Sequence, residues 1–463
     1  MKKLISQEPG HISKLFKFLW GFGFLGGGVI VGVSGAFQLI YYQNYLGLSA
    51  HLYSLCIVAY TLLNAFNNPF LAYVSDHTKS RFGRRLPYFR LSAPFVAISF
   101  VMLYFVPIEA NLMVTAFWFF ISLLIFDIAY SMYCGMYLNL QTEITEYENE
   151  RIDLQFSCEV SNYVGTLIGM ILPGLIALNI HSQSSVIDFK IMIVIIAVIG
   201  LILMLITTFI VKERDDLEKK IDTMQKKHIR SAITEYIEIF KIKPVRNAVF
   251  INFFANSAVN ILTPLLYYIA IFVVKIDTTL FVMIVMLPMF LSLPLWKKIQ
   301  RKFGAVRTAE FSLFGATMGF FISGLSQNLI MLLISFAFTG ICIAGFRLTL
   351  RLLLSDCVDY DVVQTGKRRE GVIFGAGTFT NAFTFMLIAI IPLVLDMTGF
   401  ITASENGGVN MFDQPNSAIW GIRGLVMFAG FLVLTSYILL LKYPLKGDKL
   451  KEIRNKIMLT QKN

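Results

Sequence analysis

The chain has 463 residues, 56% of them hydrophobic and only 15% charged, with a net charge of +11. A soluble domain carries about 25% charged residues and 45–50% apolar ones, so a water-filled exterior is excluded and lipid is implied as solvent. The positive balance does not point to nucleic acid, because the basic residues are confined to short segments between long uncharged runs.

In chain order, twelve apolar runs read as transmembrane spans at about 20 residues each: 18–45, 50–75, 90–107, 113–138, 155–178, 190–211, 246–273, 278–296, 308–326, 329–354, 371–396 and 418–441. Phe18–Ser75 and Phe311–Phe346 contain no Lys, Arg, Asp or Glu at all. The first run is too long for a signal peptide and reads as span 1. With both termini placed in the cytoplasm, the inside segments hold 35 of the 40 Lys and Arg residues, which satisfies the positive-inside rule. The organisation expected is an all-α membrane protein: a six-helix bundle over 1–211, a cytoplasmic linker at 212–245, a second bundle over 246–441, and a cytoplasmic tail at 442–463.

The two bundles echo each other. Arg81-Phe82-Gly83-Arg84-Arg85 follows span 2, and Lys302-Phe303-Gly304-Ala305 follows span 8. Thr142-Glu143-Ile144-Thr145-Glu146-Tyr147 follows span 4, and Ser355-Asp356-Cys357-Val358-Asp359-Tyr360 follows span 10. Two matches in register mark parallel repeats.

Asn68-Pro69 through Ser75-Asp76 into Arg81–Arg85, Asp356–Tyr360 followed by Thr365-Gly366-Lys367-Arg368-Arg369-Glu370-Gly371, and Gly21-Phe22-Gly23 through Tyr41-Tyr42 to Gly47-Leu48-Ser49 together resemble the glycoside–pentoside–hexuronide:cation symporter family. This is the melibiose-permease branch of the major facilitator superfamily. The resemblance covers the whole chain. It implies a twelve-helix major facilitator fold, alternating-access transport of a sugar-type solute, and a cytoplasmic gate in which Asp76, Arg81, Arg84, Arg85, Asp356, Asp359 and Arg368 take part. Sodium-coupled members carry two acids in span 2 in the pattern D-x-x-N-D-P. Here Asn64-Ala65-Phe66-Asn67-Asn68-Pro69 stands in its place, and the family's span 1 acid aligns with Gly28. Amide oxygens alone attract sodium weakly, so a proton is the coupling ion expected instead.

Ionisable groups deep in a span are costly and mark cavities or partners. Asp127 in span 4 and Arg347 and Arg351 in span 10 are therefore candidates for substrate binding or coupling, or for a static ion pair. Asn252, Asn256 and Asn260 recur at i, i+4 and i+8 on one face of span 7, either lining a cavity or tying helices. Gln38, Tyr41, Tyr42, Asn64, Asn67, Asn68, Asn162 and Asn381 complete the polar set. The Gly26–Gly28 run, with Gly32, reads as a close-packing surface. No catalytic motif, metal-ligand cluster or cofactor loop is recognisable. The five cysteines are expected to be free thiols. The partners expected are a small solute, a coupling proton and the bilayer of the cell inner membrane, with no nucleic acid and a monomeric state. Competing readings are a carrier or exporter of an amphiphile such as a lysolipid, and a membrane sensor that transports nothing.

Overall fold

The computed structural model describes residues 12–77, 85–107, 111–145, 148–177, 183–212, 238–365, 370–401 and 414–446. These residues are nearly all helical. Spans 1 to 6 are Lys14–Ile40 with a π-helical turn at Tyr41–Tyr45, Ala50–His77, Leu86–Tyr104, Leu112–Ile144, Glu148–Ala177 and Gln183–Ile210. Span 7 is Lys243–Tyr268, ending in a second π turn at Ile269–Val274. Span 8 is two helices, Thr278–Leu291 and Leu293–Phe303, and spans 9 and 10 are Ala305–Leu325 and Leu329–Thr365. Span 11 runs Glu370–Ala382, tightens to a 3₁₀ segment at Phe383–Ala389 and resumes at Ile390–Met397, and span 12 is Asn416–Leu441. All twelve expected spans are helices. Among the described residues, nine are long and apolar enough to cross a membrane on those criteria alone. Spans 2, 5 and 9 complete the set with lower hydropathy or a shorter described apolar stretch. The linker expected at 212–245 lies mostly outside the described residues, and span 7 begins within its last three.

The breaks follow from local chemistry. Pro294 has no N–H for the carbonyl four residues back, so span 8 interrupts at Ser292, whose hydroxyl donates to the Met289 carbonyl at 2.8 Å. Pro392 does the same to span 11, and the turns before it close as 3₁₀.

The chain divides into two compact units, one holding spans 1–6 and the other spans 7–12. Within the first, span 1 packs on 5 and 6, span 3 on 4 and 6, and span 2 on 4; within the second, span 7 packs on 11 and 12, span 9 on 10 and 12, and span 8 on 10. The pairing pattern is the same shifted by six helices, as the matching loops in the sequence require.

The closest pair is 1 with 5. A Cβ at Gly28 or Gly32 would stand 2.8 and 2.5 Å from the backbone oxygens of Asn162 and Thr166, and one at Gly165 or Gly169 would meet those of Leu25 and Val29. This is the small-residue surface by which backbones approach where no hydrophobic drive separates helix from lipid. Outward-facing side chains stay apolar: Ile191, Ile195, Ile199 and Ile202 of span 6 are each about half exposed, which only lipid accommodates.

Candidate functional site

Among the described residues, each unit holds a polar cluster inside otherwise apolar helices. In the first unit it joins spans 2 and 4. The Tyr60 hydroxyl donates to Asp127 Oδ1 at 2.7 Å, Asn64 Nδ2 donates to the same hydroxyl at 3.3 Å, and the Ser131 hydroxyl lies 3.5 Å from Asp127 Oδ2. Tyr60 and Asn64 are buried and Asp127 is half-buried. The spacing explains the arrangement: 60 and 64, like 127 and 131, are one turn apart on one helix face. The oxygens of Asp127 are thus held by neutral hydroxyl donors. The Oδ1 of Asn64 is buried without a partner. Tyr60 and Ser131 were not among the residues singled out from sequence. The signal available was Tyr60 one turn before Asn64.

Further along span 1, the Ser34 hydroxyl donates to Gln38 Oε1 at 3.3 Å and Gln38 Nε2 reaches Tyr53 Oη at 3.4 Å. Tyr41 and Tyr42 are structural in their observed contacts: their hydroxyls donate to the carbonyls of Tyr104 and Leu103 at 2.9 and 2.5 Å. Asn162 faces the Gly28 crossing, its Oδ1 3.2 Å from where a Cβ would stand. The position that the resemblance assigns to a span 1 acid is thus closed by the backbone of span 5.

In the second unit the amides of span 7 meet the broken span 11. Asn256 Nδ2 donates to Asn252 Oδ1 at 2.5 Å and to Asn381 Oδ1 at 3.3 Å, and Asn260 Nδ2 donates to Thr384 Oγ1 at 2.7 Å. Thr384 is the second residue of the 3₁₀ segment and donates to the Asn381 carbonyl at 2.6 Å. Sequence reasoning missed it, although it lies three residues after Asn381. Arg347 of span 10 is half-buried, and its Nε is buried with no hydrogen-bond partner.

Of the expected gate residues, Asp356 is buried, Asp359 is half-buried, and Arg85 stands at the N-cap of span 3. The side chains of Asn67, Asn68, Asp76, Arg81, Arg84, Arg351 and Arg368 lie outside the described residues. All five cysteines are free. Among the described residues no group of His, Cys, Asp or Glu is arranged to hold a metal ion.

Comparison with known proteins agrees with this architecture. Residues 19–447 match the family model described as MFS/sugar transport protein. The chain is 24% identical over 409 residues to a protein named uncharacterized symporter YnaJ of Bacillus subtilis (strain 168), covering 86% of each. It is also 24% identical over 377 residues to the isoprimeverose transporter of Lactiplantibacillus pentosus, covering 79% of this chain and 76% of that one. The inward-open structure of the xylose transporter XylE from E. coli superposes with a TM-score of 0.64 at 14% identity, covering 95% of this chain and 99% of that one. At that identity the likeness speaks for the fold.

Proposed function

The chain belongs to the MFS/sugar transport protein family, and from that premise we propose that it carries a sugar-type solute by alternating access coupled to a proton rather than to sodium. It is a multi-pass membrane transporter, not an enzyme. The relative that supports the substrate class is the one named an isoprimeverose transporter, and the one named a symporter supports coupled transport.

The observation that carries the coupling ion is the Tyr60–Asp127–Asn64 contact. A sodium ion stripped of water needs several oxygen ligands with net negative charge. Here one carboxylate accepts from two hydroxyls, the nearer of which accepts in turn from the Asn64 amide, and the span 2 position that would supply a second acid holds Asn64. A lone carboxyl answers a proton well. Ionised, it accepts from Tyr60 and Ser131. Protonated, it is neutral and inexpensive to hold inside a span. Uptake of a proton would change what this face of span 4 presents to solute, which is the differential interaction a coupled carrier needs. Gln38 and the amides of the second unit supply neutral groups suited to hydroxyls. Tyr41, Tyr42 and Asn162 hold helices together in this reading. Both termini lie in the cytoplasm, the membrane is the cell inner membrane, and the gate residues at the ends of spans 2 and 10, with the basic residues that follow them, fasten that side.

Melting temperature of the purified protein against a panel of neutral glycosides, with and without sodium and at two pH values, tests this. Stabilisation by a glycoside that changes with pH and is indifferent to sodium is the expected result. A response that requires sodium removes the proton assignment, and one confined to lysolipids removes the sugar.

A further inference from the structure

The corner where span 8 ends and span 9 begins carries charges that the carrier mechanism leaves unused. From Thr278 to Ala309 the chain has five Lys and Arg residues and no Asp or Glu. Of the five, Lys298, Arg301, Lys302 and Arg307 are exposed, and among the described residues no carboxylate pairs with them. Two other basic residues near span ends are answered within the protein. Lys17 pairs with Asp153 at 2.6 Å, and Lys446 pairs with Glu310, the first acid after the basic run.

The helix faces say where these cations point. Trp296 turns to span 10: its Nε1 donates to the Ile341 carbonyl at 2.7 Å, and a Cβ at Gly345 would stand 2.6 Å from its ring. Lys298, two residues on, lies on the opposite side of the helix. That is the side span 8 shows to lipid. Leu287, Leu291 and Leu295, one turn apart, are 46%, 65% and 54% exposed, and the next turns of the same stripe are Lys298 and Lys302. The break at Ser292 does not rotate the stripe, because Ser292 keeps α-helical angles and its carbonyl accepts from the Trp296 N–H at 3.0 Å. Span 9 repeats the pattern from the other end. Its exposed stripe of Phe311, Phe314 and Met318 extends back one turn to Arg307, which is exposed as well.

The two stripes meet. A single residue, Gly304 at φ +82°, joins the helices, and nothing lies within 4 Å of where its Cβ would stand. Just inside this corner the Phe303 and Phe311 rings pack edge to face with centroids 5.9 Å apart, and both remain exposed. The Lys302 ammonium lies over Phe303, 5.2 Å from its centroid. Apolar surface therefore passes directly into unanswered positive charge, at the depth where hydrocarbon gives way to headgroups. A water-soluble anion has no use for the exposed rings, and an uncharged lipid leaves the cations unanswered. Both halves of the surface are met by acyl chains that end in a negatively charged phosphate.

We propose that the corner of spans 8 and 9 is a binding site for an anionic glycerophospholipid of the leaflet on that side. The headgroup phosphate sits on Lys298, Lys302 and Arg307, and the chains lie against Leu295, Phe303 and Phe311. Occupied, the site fastens the last segment of span 8, which is joined to the rest of that span across the proline break. Membrane topology alone asks only that cations fall somewhere in the segment. It does not ask that they continue two lipid-facing stripes around a pair of exposed rings. The site is independent of what the carrier moves.

The test uses the full chain in a neutral detergent, titrated separately with dioleoylphosphatidylglycerol, dioleoylphosphatidylcholine and glycerol 3-phosphate, a headgroup without chains. Phosphatidylglycerol is expected to raise the melting temperature at a mole fraction about 10–100-fold below that which phosphatidylcholine needs, and glycerol 3-phosphate to leave it unchanged. The triple variant Lys298→Gln, Lys302→Gln, Arg307→Gln removes this preference. Its three side chains are exposed, so it is expected to melt with the parent in detergent alone. The single variants Lys302→Gln and Arg307→Gln each take part of the preference, which keeps the site readable where the triple variant expresses poorly. Lys241→Gln, Lys243→Gln, Arg246→Gln is the control: it removes the same charge from exposed positions at the start of span 7, on the same side of the membrane, and keeps the preference. Equal loss in the two triple variants means a diffuse surface field and overturns the site. A preference that survives in the first triple variant overturns it too, as does phosphatidylcholine acting as well as phosphatidylglycerol. Stabilisation by glycerol 3-phosphate equal to that by the lipid means a free phosphate site and overturns the lipid.

Discussion

Asp127 is held from two sides by uncharged hydroxyls, and the stronger of those bonds is from Tyr60 at 2.7 Å. Hydrogen bonds to a charged group contribute about 1.5–3 kcal/mol. Tyr60→Phe is therefore expected to lower stability by about that much in the parent and by much less in an Asp127→Asn background. Melting measured around the four-member cycle gives a coupling energy of about 1–3 kcal/mol. A coupling near zero would separate the two residues energetically. Asp127→Asn alone is expected to leave the fold intact, because the amide still accepts from Tyr60, while uptake loses its dependence on pH. Residue chemistry was only partly legible in the sequence. Asp127 stood out because an acid in an uncharged run is costly and needs a partner or a cavity, whether its role is coupling or a static ion pair. Tyr60 did not, since a tyrosine in a span has many, and only its turn-spacing to Asn64 hinted at the contact. Arg347 was visible as a charge, but its want of a partner is a property of packing that no spacing rule supplies.

Between elements, the tightest constraint is the crossing of spans 1 and 5. Gly169 and Gly165 sit against carbonyl oxygens of the facing backbone, and a backbone cannot rotate away as a side chain can. Gly169→Ala is expected to force the helices apart and to cost about 1–3 kcal/mol, read as lower melting temperature and folded yield. Gly424→Ala in span 12, where a Cβ would meet nothing within 4 Å, is the control. It is expected to be neutral or to stabilise by about 0.5–1 kcal/mol through helix propensity. Equal losses at both sites would remove the argument from close approach. The glycine run was legible in sequence as a packing surface. What it packs against was not, and with it went the reason the family's span 1 acid has no room at Gly28. The interruptions of spans 8 and 11 had proline signals, but the placement of Thr384 beside Asn260 depends on how the 3₁₀ turn is wound.

For the whole molecule, sequence was most informative, because lipid imposes a length and a polarity on every span and leaves few alternatives. Twelve runs became twelve helical spans, and two matching loops became two units with the same helix pairings. Topology is expected to follow the basic residues. Reporter fusions within 212–245 and after Leu441 should report the cytoplasm, and a fusion at Lys275–Asp277 the opposite side. Reversed signals would invert the proposed orientation. Of the proposed gate residues, Asp356 and Asp359 lie on the last turns of span 10 and Arg85 at the start of span 3, while the side chains of Asp76, Arg81, Arg84 and Arg368 lie outside the described residues.

The most direct test of the account is flux into proteoliposomes holding the parent or Asp127→Asn protein, with a labelled glycoside outside and either a proton or a sodium gradient imposed. Accumulation driven by the proton gradient in the parent, absent with sodium alone and absent in Asp127→Asn, is the predicted result. Accumulation driven by sodium, or proton-driven accumulation that Asp127→Asn leaves unchanged, would contradict it.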